Sequence, residues 1–216
     1  MTVQSPIPDF RAARIAMVEN QLRPQGVVDA RVVDAMSHVE RERFLPVETR
    51  PLAYVDRAVS LGHGRFLPAS AVLGSLLTQM MPEPGHRALV VGAGTGYSAA
   101  VLRHIGVEVV ALEDSPGLIA HGQALGMTFV EGPLQAGHKK AAPYNLILID
   151  GGVEVIPDAI VAQLADGGRL GTALSDRGIT RLIVGRKAGA AFGYLSVGDA
   201  GVPALPGFSR PQAFTV

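Results

Sequence analysis

The chain has 216 residues and a mass of 22.5 kDa, enough for one domain with a sizeable core and short for two. Apolar residues make up 48% and charged residues 18%, against roughly 25% charged in an average soluble protein, which excludes a disordered tail. Nineteen Lys and Arg balance nineteen Asp and Glu, so no net field gathers nucleic acid or an anionic membrane, and the absence of cysteine excludes a disulfide framework and thiolate chemistry. Asp9 is placed to cap a helix in which Phe10, Ala13 and Met17 join Ile15, Val18 and Leu22 on one broad face, ending before Pro24. Val28, Val32, Ala35, Met36 and Val39 recur at helical spacing and predict a second helix that stops by Pro46. Residues 53–68 read as loop and short strand, and 69–81 as a mostly apolar helix.

From Ala88 onward short apolar runs alternate with helix-length stretches. The runs 88–91, 108–112, 127–130 and 146–149 are rich in Val, Ile and Leu without alternation, as strands buried on both faces require. Helices are expected over 97–105, around 116–125 and over 156–164. Further strands are expected over 169–174, 179–186 and 192–197, the last two as a hairpin, followed by an irregular tail. This rhythm predicts an α/β fold: a doubly wound, mostly parallel sheet with helices on both faces. Residues 1–84 form an N-terminal helical region packed on the same domain, and 85–216 the ligand-binding core. Only four of the 26 glycines precede residue 84, which places the composition shift at that boundary.

The most informative stretch is Leu89-Val90-Val91-Gly92-Ala93-Gly94-Thr95-Gly96-Tyr97, a strand entering a G-x-G-x-G loop and then a helix. Glycines allow a sharp turn and close ligand approach, and a helix N-terminus offers unpaired N–H groups. At the end of the next strand stands Glu113, 21 residues after Gly92, where a carboxylate can accept both ribose hydroxyls. Asp114 beside it lines the adenosine side. A dinucleotide site favours a third glycine where this chain has Tyr97, so the pattern favours S-adenosylmethionine, which has no phosphates to seat. Six histidines lie at His38, His63, His86, His104, His121 and His138 without metal-ligand spacing, and no metal is expected.

These residues and those around them carry a resemblance to bacterial protein-L-isoaspartate O-methyltransferases over nearly the whole chain. It is similar to that family at Met17-Val18-Glu19-Asn20-Gln21-Leu22-Arg23, Arg43-Phe44-Leu45-Pro46, Ala53-Tyr54-Val55-Asp56, Leu61-Gly62-His63-Gly64, Pro143-Tyr144-Asn145-Leu146-Ile147 and Gly167-Gly168-Arg169-Leu170. The resemblance implies a seven-stranded, Rossmann-like methyltransferase sheet, S-adenosylmethionine as cofactor, and methylation of a carboxylate in a damaged protein or peptide. It implies a cofactor site at Gly92, Ala93, Gly94, Thr95, Gly96, Glu113, Asp114, Gly132 and Leu134. Alternatives are a methyltransferase with a different acceptor, or a non-catalytic family member acting as a binding module. A cytoplasmic monomer or homodimer, with no membrane-spanning or leader segment, is the accompanying expectation.

The chain departs from the family pattern around the acceptor. The loop after Gly62-His63-Gly64 reads Arg65-Phe66-Leu67-Pro68 where the family has glutamine-threonine-isoleucine-serine. Val90 replaces an acidic residue, Gly132-Pro133-Leu134 replaces glycine-aspartate-glycine, and Asp150-Gly151-Gly152 replaces small neutral residues. His63, Arg65 and Asp150 are therefore the substrate-loop candidates. A carboxylate at Asp150 repels a carboxylate acceptor unless neutralised; either Arg65, a bidentate carboxylate partner by chemistry, pairs with it and steadies the loop, or the pocket takes a substrate that presents an amine or hydroxyl to Asp150.

Overall fold

The computed structural model describes residues 9–210. α1 (Phe10–Met17) begins where the Asp9 carboxylate accepts the Ala12 N–H at 3.0 Å. The helical path then widens into a π-turn over Val18–Leu22 and tightens into a 3-10 turn over Arg23–Gln25. It thus runs through Pro24 and ends only at Gly26, whose φ of 76° no other residue type adopts so readily. The π-turn rotates the apolar face: Met17, Val18 and Leu22 are buried, but Ile15 is 58% exposed, so the single face expected from the sequence is split. α2 (Ala30–His38) is capped by Asp29. Val28 lies ahead of that cap and is exposed, and Val27 takes the core position instead.

Residues 53–68 contain an antiparallel hairpin of β1 (Val59–Gly62) and β2 (Arg65–Leu67), followed by α3 (Ser70–Met80). The chain then runs β3 (Arg87–Val91), α4 (Tyr97–His104), β4 (Glu108–Glu113), α5 (Pro116–Ala124), β5 (Phe129–Glu131), β6 (Tyr144–Val153), α6 (Asp158–Val161), β7 (Leu164–Asp176), β8 (Ile179–Ala188) and β9 (Ala191–Asp199). Several expected boundaries move: the strands expected over 146–149 and 169–174 lengthen to Tyr144–Val153 and Leu164–Asp176, and two other shifts have a local cause. β5 starts after Met127 because the Met127 N–H is bound back to the Gly122 carbonyl at the end of α5. The helix expected over 156–164 shrinks to four residues, since Pro157 can only begin it and the chain enters β7 at Leu164.

The seven strands form one sheet in the order β5-β4-β3-β6-β7-β8-β9. The first five are mutually parallel, and β8 and β9 are added antiparallel, the latter pair as the expected hairpin. Along β3, Ala88 and Val90 enter one apolar cluster with Leu22, Val27, Val32 and Met36, while Leu89 and Val91 enter a second with Leu205 and Phe208. Both faces of the central strand are therefore dry, which is why its sequence does not alternate. From β3 the chain winds outward through β4 to β5 and then crosses back to β6 on the other side of β3, so the strand order reverses between β3 and β6 and a crevice opens at the carboxyl ends of these strands. The tail crosses that crevice: Gly152 N–H donates to the Pro203 carbonyl at 2.8 Å and Leu205 N–H to the Gly152 carbonyl at 2.7 Å. No helix among the described residues is long and apolar enough to cross a membrane.

Candidate active site

The glycine loop joins β3 to α4, with Gly92, Gly94 and Gly96 at φ of 71°, 57° and 98°. A Cβ on Gly94 would meet Leu61 Cδ1 at 2.8 Å, and one on Gly92 would meet Leu205 at 2.9 Å. Thr95 is buried, and its hydroxyl donates to the Phe44 carbonyl at 2.6 Å, so it fastens the loop to the N-terminal region. Ala93 is buried beside it.

Glu113 ends β4 with no exposed surface. Its Oε2 accepts the Gly94 N–H at 2.8 Å, and its Oε1 accepts the N–H groups of Asp114 at 2.9 Å and Ser115 at 3.2 Å. The carboxylate is thus aimed at the glycine loop, as the 21-residue spacing anticipated. Gly132 follows β5, its N–H donating to the Glu113 carbonyl. Leu134 is wholly buried in the second apolar cluster, so its side chain serves packing.

Arg65 does not pair with Asp150. Its Nε lies 3.2 and 3.3 Å from the two Glu113 oxygens, and its Nη2 lies 2.5 Å from Asp114 Oδ1. The β1–β2 turn, with Gly62, His63 and Gly64 all at positive φ, delivers the guanidinium to the end of β4 rather than to β6. There a buried carboxylate is the stronger partner for a charge that is itself only 4% exposed. His63 is exposed at the turn, its Nε2 standing against Gly117 at the start of α5.

Asp150, near the carboxyl end of β6, accepts the Ser98 hydroxyl of α4 at 2.6 Å. Burial pushes its carboxyl up to about 6, against the opposing pull of the Ser98 hydrogen bond and the positive charge of Arg41. Arg41 is fully buried, packs 5.0 Å over the Tyr97 ring, and donates Nε to the Ala53 carbonyl at 2.6 Å and Nη2 to the Pro68 carbonyl. Sequence reasoning missed this residue, because in Arg41-Glu42-Arg43 it looks like one charge of a solvated run. Asp34, His38 and His104 were also not grouped by spacing. The packing of α2 against α4 brings them together, with His104 Nε2 3.0 Å from Asp34 Oδ2 and the two imidazoles stacked at 5.3 Å.

The residues present suit S-adenosylmethionine: a loop of three positive-φ glycines between a strand and a helix N-terminus, and a buried carboxylate beside it. A sheet of this order with these two features defines a methyltransferase that uses S-adenosylmethionine. The chain belongs to the protein-L-isoaspartate(D-aspartate) O-methyltransferase family, whose profile matches residues 13–190. It is 40% identical over 175 residues to a protein-L-isoaspartate O-methyltransferase of Methylorubrum extorquens (strain PA1), covering 78% of this chain and 77% of that one. It is 37% identical over 165 residues to the enzyme of the same description from Methylorubrum populi, covering 74% and 78%. A Plasmodium falciparum structure, described as a protein-L-isoaspartate O-methyltransferase in complex with S-adenosyl-L-homocysteine, superposes with a TM-score of 0.75 at 18% identity, over 89% of this chain and 97% of that chain.

Proposed function

We propose that this protein transfers the methyl group of S-adenosylmethionine to the carboxylate of an isoaspartyl residue in a damaged protein or peptide. The observation that carries the reading is the Glu113 carboxylate held against the Gly92–Gly96 loop by the Gly94 N–H at 2.8 Å. In this reading Gly92, Ala93, Gly94 and Gly96 give backbone approach to the donor, Glu113 takes the ribose hydroxyls, and Asp114 and Gly132 border the adenosine. Thr95 and Leu134 support the site from beneath. A substrate protein is the partner, met by a monomer or homodimer in the cytoplasm, where a chain without cysteine suits a reducing medium.

When bound, the donor supplies an electrophilic methyl carbon whose bond to sulfur breaks with the electron pair leaving on sulfur. The acceptor carboxylate is already ionised at neutral pH, so this chain has no proton to remove. Its work is to hold nucleophile and methyl in line and to keep water out. Arg65, Pro68, Asp150 and Leu205 line the crevice. The space among them, about 10 Å³, holds no more than a single water, so Leu205 and the tail must shift to admit the reactants. Asp150 opposes an incoming anion when ionised, and half of that opposition is gone at its pKa of about 6.

The direct test is transfer of labelled methyl groups to a synthetic isoaspartyl peptide beside its normal aspartyl counterpart. Base-labile methyl ester on the first alone supports the reading. Labelling of neither, with S-adenosyl-L-homocysteine bound tightly, assigns the chain a different acceptor.

A further inference from the structure

Glu113 has no free acceptor capacity. A carboxylate offers about four lone-pair sites, and three of them face the N–H groups of Gly94, Asp114 and Ser115, which the backbone fixes in place. What remains is spanned by Arg65 Nε, at 3.2 and 3.3 Å from the two oxygens. A ribose can reach Glu113 only by displacing the one movable donor, the guanidinium. The turn that precedes it, Gly62-His63-Gly64, is exposed, and β1 and β2 pair only with each other and not with the seven-stranded sheet, so Arg65 can turn away from Glu113 without breaking a strand pairing of that sheet.

A displaced Arg65 needs a second anion, because a nearly buried guanidinium without a counter-ion is costly. Asp114 keeps part of the charge, but its side chain is 47% exposed and holds only Nη2. Asp150 lines the same cavity, with one oxygen held by Ser98 of α4, and is one carboxylate that could receive the displaced guanidinium. The other is the carboxylate that the reaction brings in. We propose that Arg65 is the acceptor-carboxylate receptor of this protein, stored on Glu113 and released to the acceptor when the donor's ribose hydroxyls take Glu113. This rests on the isoaspartyl reading above and deepens it: donor and acceptor favour each other's binding through one guanidinium, a coupling that is reciprocal by necessity.

The test measures S-adenosyl-L-homocysteine affinity of the wild-type protein by calorimetry, alone, with an isoaspartyl peptide, and with the same peptide carrying a carboxamide in place of the accepting carboxylate. The carboxylate peptide tightens the nucleoside about tenfold, and the carboxamide peptide does not. In Arg65→Gln the nucleoside binds more tightly without any peptide and the coupling vanishes. The peptide KM rises about ten- to a hundredfold with the loss in KM rather than kcat, and Arg65→Lys recovers part of it. Equal tightening by both peptides overturns the proposal, and the wild-type arm decides this even if the variants do not fold. Turnover of the peptide with a KM indifferent to Arg65→Gln overturns it alone. No turnover with any isoaspartyl peptide, while the nucleoside still binds, removes the acceptor reading and this proposal together.

Discussion

Ser98 Oγ donates to Asp150 Oδ2 at 2.6 Å, joining the first turn of α4 to the end of β6 across the floor of the crevice. This bond lowers the Asp150 pKa, yet desolvation outweighs it and leaves the carboxyl near 6. The polar contact therefore orders the carboxyl without making its charge comfortable.

The pH dependence of stability follows in sign. The native state holds the Asp150 proton more tightly than the unfolded chain, whose pKa is 3.8, so this group's contribution is complete below about pH 4 and is lost as pH rises through about 6. At pH 7.5 the ionised carboxyl costs on the order of 3 kcal/mol. Asp150→Asn should therefore gain on the wild type across that window, as followed by urea unfolding at about pH 4, 5, 6 and 7.5. Parallel curves for the two proteins would show that burial does not tax this carboxyl.

The positive charge of Arg41 holds the Asp150 pKa down, and removing it should move that titration upward. Arg41→Met also leaves the Ala53 and Pro68 carbonyls without their donor, at about 1–3 kcal/mol for each buried group left unpaired. The combined signature is a lower midpoint in urea and an Asp150 titration displaced above 6 in carboxyl-carbon NMR. A titration that stays in place would mean the two groups do not sense each other.

Arg65 and Glu113 should be strongly non-additive. Glu113→Ala strands a guanidinium that is 4% exposed and is expected to cost about 3–5 kcal/mol, while Glu113→Ala with Arg65→Ala costs less than the sum of the singles. A double-mutant cycle in denaturant measures this. Additive losses would reduce the pair to neighbours.

Gly94→Ala should lose both fold stability and donor affinity. The residue sits at φ 57° and its Cβ would lie 2.8 Å from Leu61 Cδ1, so a left-handed backbone penalty of about 1 kcal/mol adds to displacement of a packed side chain. Gly85→Ala is the control, because it has a comparable φ of 81° and nothing within 4 Å. Its loss should be confined to the backbone share.

Local features were legible in the sequence. The glycine loop, Glu113 after one further helix and strand, the Asp9 cap and the β8–β9 hairpin all depend on residues close together in the chain, where spacing and geometry are tied. Partnerships across the fold were not. Arg65 finds Glu113 across 48 residues, and nothing in either local sequence distinguishes that carboxylate from Asp150. Val28 and Ile15 kept the apolar period but missed the core, since a cap and a π-turn each shifted the face by a fraction of a turn. Arg41 hid among neighbouring charges because burial of a guanidinium is decided by what packs over it, here Tyr97.

The fully buried Arg41 ties the N-terminal region to the hairpin that carries Arg65 rather than leaving it a covering laid upon the crevice. One guanidinium grips the carbonyl of Ala53 ahead of the hairpin and that of Pro68 behind it. The β1–β2 loop is thus a handle fixed at both ends. The 3-10 turn at Arg41–Phe44 is therefore a shared anchor: Arg41 holds the two ends of the hairpin and the Phe44 carbonyl holds Thr95 of the glycine loop, so a change that loosens this turn reaches both sides of the crevice at once.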